Sequence, residues 1–457
     1  MAGFVDLLRS GAWLTRERMR MVAFTLLAAS LLGAGYLIAT SDGFNDRLGR
    51  PLGTDFSNVY AAGTYVLEEQ PTAPFDPPRQ FAREQAIFGP ATPFYGWHYP
   101  PFFLGLAALL ALMPYGLSLA VWQGVTLVLY LLAIHSIVSA VVPSLLGGEG
   151  QGEGATRYPS SPVPAHPTAL RAVDLSPQGR GEGSKFARDK LWLLLALAFP
   201  AVFINLGQAH NGFLTAALIG AALCQLDRRP WLAGVLIGCL AYKPQFGLLI
   251  PLVLMVSGRW RVVAAAAVTV ALLALAVTLA FGIEVWTAFL ASTKFTRNVV
   301  LEQGGTGWFK IQSVFSWVRM WGGGIALAYA TQGAVMILVA AALGWLWRSA
   351  AAYPLKAAGL VIGCLLATPY SLDYDLMLLA PAIAYLAVDG SARGFVAWEK
   401  TVLAALWIVP LIARSVPEAT YVPLAVPLML LAFGLLLRRA IDDAQMECSR
   451  AHRVAAK

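Results

Sequence analysis

An all-α polytopic membrane protein is the fold class this sequence predicts, and three observations carry it. Of the 457 residues, 58% are hydrophobic and 13% charged, with 14 Trp and 22 Phe, a composition outside the range of soluble globular chains. Apolar segments recur along the whole chain, separated by short polar loops. The basic residues behind the net charge of +8 fall in those loops, which fits the positive-inside rule and gives no reason to expect a nucleic-acid partner. Cys224, Cys239, Cys364 and Cys448 have no metal-type spacing, so neither a disulfide nor a metal site is expected.

Arg16, Arg18 and Arg20 put the N-terminus in the cytoplasm, and the first span, 21–39, carries the chain to the far, periplasmic side. Residues 40–100 form a first external loop, too aromatic for a disordered linker, in which "DPPRQFAREQAIFG" is a short amphipathic helix opened by Asp76 and closed by Gly89. The segment 101–114 falls short of the ~20 residues a crossing helix needs. Charge parity makes it a re-entrant or juxtamembrane helix, because a crossing there would put every later basic loop on the wrong side. A full span at 116–142 follows, then a Gly-, Pro- and Ser-rich stretch, 143–190, expected as a disordered cytoplasmic insertion. Further spans are expected at 191–205, 211–226, 231–243, 245–257 and 261–283, then a second external loop at 284–322, then spans at 323–347, 355–369, 374–388, 399–414 and 421–437. The result is about 12 transmembrane helices in one integral-membrane domain, 1–457, several of them shorter than a bilayer is thick. Both termini are cytoplasmic, and the membrane is expected to be the bacterial inner (plasma) membrane.

Polar groups at membrane depth are costly, so where they gather is the main clue to function. Asp55 with Asn58 and Tyr60, His98 and Tyr99 in "GWHYPP", and Gln208, His210 and Asn211 in "NLGQAHNG" are all expected on the external side. Lys243 in "AYKPQ", Tyr370, Asp373, Tyr374 and Asp375 in "TPYSLDYD", and Lys310, Gln312, Ser313 and Arg319 in the second loop complete the set. Each has an ordinary structural alternative. Asp55 would cap the helix "FSNVYAAGTYVLEE", and an acid before such a run is most often a cap. His98 and His210 would be satisfied interfacial residues, Tyr95, Trp97 and Tyr99 an aromatic belt, Asp373 a cap, and Lys243 a snorkelling cation. Their joint occurrence beside broken, short helices favours a lined cavity instead, since irregular backbone at membrane depth is tolerated there.

A carboxylate beside Lys and Arg suits a reaction in which the acid deprotonates an acceptor hydroxyl while cations hold a phosphate leaving group. With no Gly-rich nucleotide-binding loop after a strand and no soluble domain, the sugar donor is expected to be lipid-linked, with no cofactor. The alternative is a transporter or flippase of a lipid-linked sugar with a midplane site at "AYKPQ"; the one-sidedness of the polar clusters and the lack of a visible inverted repeat argue against it.

The ordered segments "DFSNVYAAG", "PFDP", "YPPFFLGLAALLALMP", "NLGQAHNGFLTAAL", "LAGVLIGCLAYKPQFGLLIPLVLM" and "ATPYSLDYDLMLLAPA" resemble glycosyltransferase family 87, the polyprenyl-phosphate-mannose-dependent mannosyltransferases with the GT-C fold. The resemblance runs from Asp55 to Pro381, interrupted by 143–190. It implies that Asp55 is the catalytic base, that Lys243 in the matching "KP" binds the donor phosphate, and that transfer inverts the anomeric carbon on the periplasmic face; Arg319 is a second phosphate candidate from its position in the second loop alone. Metal-independent transfer is implied as well, from a polyprenyl-phosphate sugar to a lipid or glycan acceptor among membrane lipids. Where some members carry "SPxSWxHH" this chain has "TPYSLDYD", with Tyr374 and Asp375 in place of the histidines, so the resemblance leaves the sugar and the acceptor open.

Overall fold

The computed structural model describes residues 2–140 and 190–455; the expected insertion 143–190 lies outside the described residues except for Lys190. Among the described residues the chain is helical, and its extended pairings are isolated bridges.

The helices are α1 (Ala2–Ser10), α2 (Arg16–Ala39), α3 (Thr54–Leu67), α4 (Pro77–Phe88), α5 (Leu104–Ala111) and α6 (Tyr115–Ala140). They continue as α7 (Leu191–Leu197), α8 (Pro200–Gln208), α9 (Gly212–Gln225), α10 (Pro230–Gly238), α11 (Leu249–Val256) and α12 (Trp260–Phe281). The second expected loop is itself helical, with α13 (Glu284–Phe295), a π-helical stretch Thr296–Glu302 and α14 (Val314–Met320). The chain ends with α15 (Ile325–Arg348), α16 (Tyr353–Ala367), α17 (Leu379–Arg393), α18 (Glu399–Ile408), α19 (Ser415–Thr420) and α20 (Ala425–Ala455).

Each apolar segment marked in the sequence forms helix. By length and composition five helices can cross a membrane: Arg16–Ala39, Tyr115–Ser139, Trp260–Phe281, Ile325–Arg348 and Asp373–Arg393. The α7–α8 pair, bent by 44°, would be a sixth. Among the shorter apolar helices, α10 runs through a 3₁₀ turn to Tyr242, and after Lys243 and Pro244 the chain restarts toward α11. Their burial differs sharply. In Asp373–Arg393, 67% of the most apolar stretch is buried, against 6% in Arg16–Ala39, so the former is central and the latter peripheral.

α3 packs along α5, α9 along α6, and α10 along α12. The α3–α5 contact is backbone to backbone: a Cβ on Gly63 would stand 2.1 Å from the Ala107 carbonyl oxygen, so glycine is required there. Aromatics close this corner, with Phe103 stacked on Tyr242 at 5.2 Å between centroids and Tyr99 4.7 Å from Phe103. At the other end of α17, an ion-pair network ties the helix ends together: Arg439 reaches Asp389 and Glu399, and Arg393 reaches Asp389 and Asp443.

Candidate active site

α3 places the first carboxylate. Gly53 occupies its N-cap with φ 69, a left-handed conformation open to glycine, and a Cβ there would meet Leu119 and Ala209. Asp55 is therefore a first-turn residue and makes no capping bond, so the cap reading of Asp55 is corrected. The acid gains from the helix dipole, and its side chain is left for other work. Among the described residues no hydrogen bond or ion pair engages the Asp55 carboxylate. The residue is half-buried. Burial pushes its carboxyl up to about 7; the Arg414, Lys310 and Lys243 charges pull it down, and Asp373 pushes it up.

Those neighbours bring together segments far apart in the chain. The turn Asp373–Leu378 holds two carboxylates that face different cations. Lys243 Nζ donates to Asp375 Oδ1 at 2.5 Å, with the two side chains 3% and 1% exposed, and the ammonium lies 4.8 Å over the Tyr374 ring. Asp375 Oδ2 also accepts from the Leu372 amide at 3.0 Å, so it is Asp375, and not Asp373, that bonds back to the start of this turn. Asp373 instead accepts a forked pair of bonds from the Arg414 guanidinium. The snorkelling reading of Lys243 is corrected in the same way: its ammonium is turned inward by Asp375.

His210 joins two further segments. Its Nδ1 accepts from the Asn211 amide at 2.9 Å, its Nε2 pairs with the Tyr99 hydroxyl at 3.2 Å, and its ring stacks on Tyr374 at 3.3 Å between centroids. The strained left-handed Ala209, φ 52, aims it there at the end of α8. Asn205, buried, donates to the Tyr374 carbonyl at 3.1 Å and accepts from the Gly212 amide at 3.0 Å, fixing both turns.

The segment 310–313 crosses the same place. The Gln312 amide donates to the Ser371 carbonyl and its Nε2 to the Ala413 carbonyl, both at 2.6 Å, so Gln312 clamps the Thr368–Asp375 turn to the chain beside Arg414. This leaves Lys310 half-buried beside Arg414, Asp373 and Asp55, with its ammonium held below the usual range by burial first and the Arg414 charge second. Tyr370, half-buried, follows Thr368 in the same turn.

Other expected site residues are engaged elsewhere. Tyr60 donates to the Met113 carbonyl at 3.0 Å and meets Tyr115 edge-on. His98 pairs through Nδ1 with the Thr296 hydroxyl at 2.9 Å, and burial pulls its imidazole down to about 4, keeping it neutral. Arg319 spends its guanidinium on the Gly323 and Glu302 carbonyls and lies 4.6 Å over Trp308; the structure does not bring it to Asp55. Among the described residues, Asn58 Oδ1, Gln208 Oε1, Asn211 Nδ2, Trp97 Nε1 and Ser371 Oγ are buried without a partner.

Two charged residues missing from the sequence reading belong here. Arg414 ends an apolar segment and showed no signal besides its charge. Glu84, on the amphipathic α4, is fully buried and accepts from the Tyr95 amide at 3.1 Å and from Gln80 at 3.3 Å. Burial pushes Glu84 up to about 7, and the Asp55 charge adds to the rise.

A helical membrane protein in which paired charges surround one free acid has the build of a membrane-embedded group-transfer enzyme. The model of glycosyltransferase family 87 matches residues 97–369, more than half of the chain, and the protein belongs to that family. It is thus a membrane glycosyltransferase, acting between a sugar donor and an acceptor. The matched stretch takes in His98, Tyr99, His210, Lys243, Lys310 and Gln312; Asp55, Asp373, Asp375 and Arg414 lie outside it. No curated protein and no solved structure matches the chain.

Proposed function

We propose that this glycosyltransferase moves a sugar, mannose or a related hexose or pentose, from a polyprenyl-phosphate donor to a lipid or glycan acceptor, with Asp55 as general base. The observation that carries the reading is the contrast among the carboxylates: Asp373 and Asp375 are neutralised by Arg414 and Lys243, while Asp55 has no partner among the described residues and its carboxyl is pushed up to about 7. A base poised near the working pH is the efficient choice for removing a hydroxyl proton.

The acceptor oxygen, losing its proton to Asp55, attacks the anomeric carbon as the bond to the phosphate oxygen breaks, and the phosphate leaves with the electron pair. Attack opposite the leaving group inverts the centre. The phosphate finds its charge balance in Lys310, which has no anionic partner among the described residues. Lys243 supports the turn and is not itself the phosphate contact, because Asp375 already holds it. The orphaned Asn58, Gln208 and Asn211 groups suit sugar hydroxyls. Metal-free operation belongs to this reading and is supported by the commitment of both turn carboxylates to cations. So do a GT-C arrangement with about 12 crossings and a periplasmic site in a bacterial inner membrane, which the placement of basic loops supports. Family membership favours transfer over the carrier alternative.

The test is transfer from a panel of polyprenyl-phosphate sugars, followed by mass spectrometry, for wild type and Asp55→Asn. The variant keeps size and helix position, so the protein folds while turnover drops by ~10²–10⁴-fold. Because the base works ionised and its carboxyl sits at about 7, wild-type kcat/KM falls as pH drops below that value and levels off above it. Unchanged turnover in Asp55→Asn refutes the base assignment.

A further inference from the structure

Glu84 is the buried carboxyl that the proposed reaction leaves unused. It stands on α4 between two parts of the site. On one side Gln80, one turn earlier, donates through Nε2 both to Glu84 Oε1 at 3.3 Å and to the Asn58 carbonyl at 3.0 Å, and Asn58 lies on α3 one turn beyond Asp55. On the other side Glu84 Oε2 accepts from the Tyr95 amide at 3.1 Å, with the Gly96 amide also turned toward it. Tyr95 and Gly96 open the segment that carries Trp97, His98 and Tyr99, and Tyr99 in turn holds His210. The Gln80 and Glu84 side chains are fully buried, and the Gln80 Oε1, Asn58 Oδ1 and Trp97 Nε1 atoms around them have no partner among the described residues.

We propose that Glu84 is a positioning residue for the transfer reaction: its carboxylate fastens the Tyr95–Tyr99 segment to the face of α3 that carries Asp55, and its charge acts on Asp55 across that junction. The proposal rests on the reading of Asp55 as base. An acid is needed where a neutral acceptor would hold the amides because the charge has a second effect. The Asp55 charge raises Glu84, and a Coulomb interaction is mutual, so ionised Glu84 disfavours ionised Asp55. The other groups facing Asp55 are Arg414, Lys310 and Lys243, which favour its ionised form, and Asp373, which opposes it. Facing Glu84 from the opposite segment is Tyr95; on α4 itself Arg83 is turned outward to Glu68 and Arg79 to Gln70. No cation is paired with Glu84 among the described residues.

The experiment compares Glu84→Gln and Glu84→Ala in the full-length protein by pH-rate profile and by amide hydrogen exchange of residues 94–100. Gln retains an acceptor for the Tyr95 amide and loses the charge, so its acidic limb moves to lower pH than in wild type. Ala loses both, and kcat falls by ~10-fold or more at every pH, with faster exchange at Tyr95 and Gly96; Gln recovers most of that loss. A limb that stays in place in Glu84→Gln, or exchange at 95–96 that does not change in Glu84→Ala, overturns the proposal. Full turnover in Asp55→Asn overturns the base assignment instead, and the exchange measurement then still decides whether Glu84 holds the segment.

Discussion

The Lys243–Asp375 pair offers the sharpest test of how the site is held. Its nitrogen and oxygen are 2.5 Å apart, and the two side chains are 3% and 1% exposed, so water cannot replace either partner. Asp375→Asn keeps an oxygen for the Leu372 amide and so preserves the turn, but it strands a buried ammonium against the Tyr374 and Phe246 rings without its ion-pair partner. Lys243→Met strands the carboxylate with that one amide. Removing one partner of a buried pair costs about 3–5 kcal/mol, because the remaining charge is desolvated without compensation. Replacing both by neutral groups removes the penalty, so Lys243→Met with Asp375→Asn is more stable than either single variant. Thermal midpoints of the purified chain in detergent, followed by intrinsic fluorescence, give the order without requiring a two-state transition. If the double variant loses the sum of the single losses, the pair is not coupled, and the inward placement of Lys243 is refuted.

Two further outcomes follow from the geometry. Lys310→Met removes the half-buried cation that has no anionic partner among the described residues and acts electrostatically on Asp55, and raises the donor KM by ~10–100-fold, the equivalent of one charge-assisted contact of about 1.5–3 kcal/mol; an unmoved KM in donor titrations removes Lys310 from the phosphate site. Gly63→Val drives a side chain into the Ala107 carbonyl, 2.1 Å from the added Cβ, so α3 must lift from α5 at a cost of at least about 1–3 kcal/mol. A lower thermal midpoint accompanied by lost turnover is expected, since Asp55 rides on the same helix; a stable, active variant contradicts the α3–α5 contact.

Much of the architecture was legible because hydropathy and punctuation agree locally. Asp76 accepts from the Arg79 amide, and α4 ends at Gly89, at the positions its caps predicted. The stretch after "YPP" forms a short helix, Leu104–Ala111, as its length required. What the local window could not show depended on longer-range context. Asp55 looked like a cap, but Gly53, two residues earlier, takes the left-handed turn, and the helix starts ahead of the acid. Tyr60 and Gln312 looked available to a substrate and are spent on the Met113 and Ala413 carbonyls. Arg319 was chosen for its charge, and the local carbonyls of Gly323 and Glu302 claim it. Arg414 was invisible because its partner, Asp373, is 41 residues away, and Glu84 because nothing in an amphipathic pattern says that another helix will cover its polar side.

Charge balance explains why these long-range pairs matter to the chemistry. With Lys243 neutralising Asp375 and Arg414 neutralising Asp373, the groups left to act are Asp55, Lys310 and the more deeply placed Glu84. The proposed polyprenyl-phosphate donor is a phosphodiester with a single negative charge, so on that reading one free cation answers it and leaves Asp55 free. Had Lys243 or Arg414 also been unpaired, the surplus positive charge would stabilise ionised Asp55 and depress its basicity, weakening it as a proton acceptor. On the proposed mechanism, the internal pairs therefore fix the turns and hold back the positive potential that would otherwise weaken Asp55 as a base.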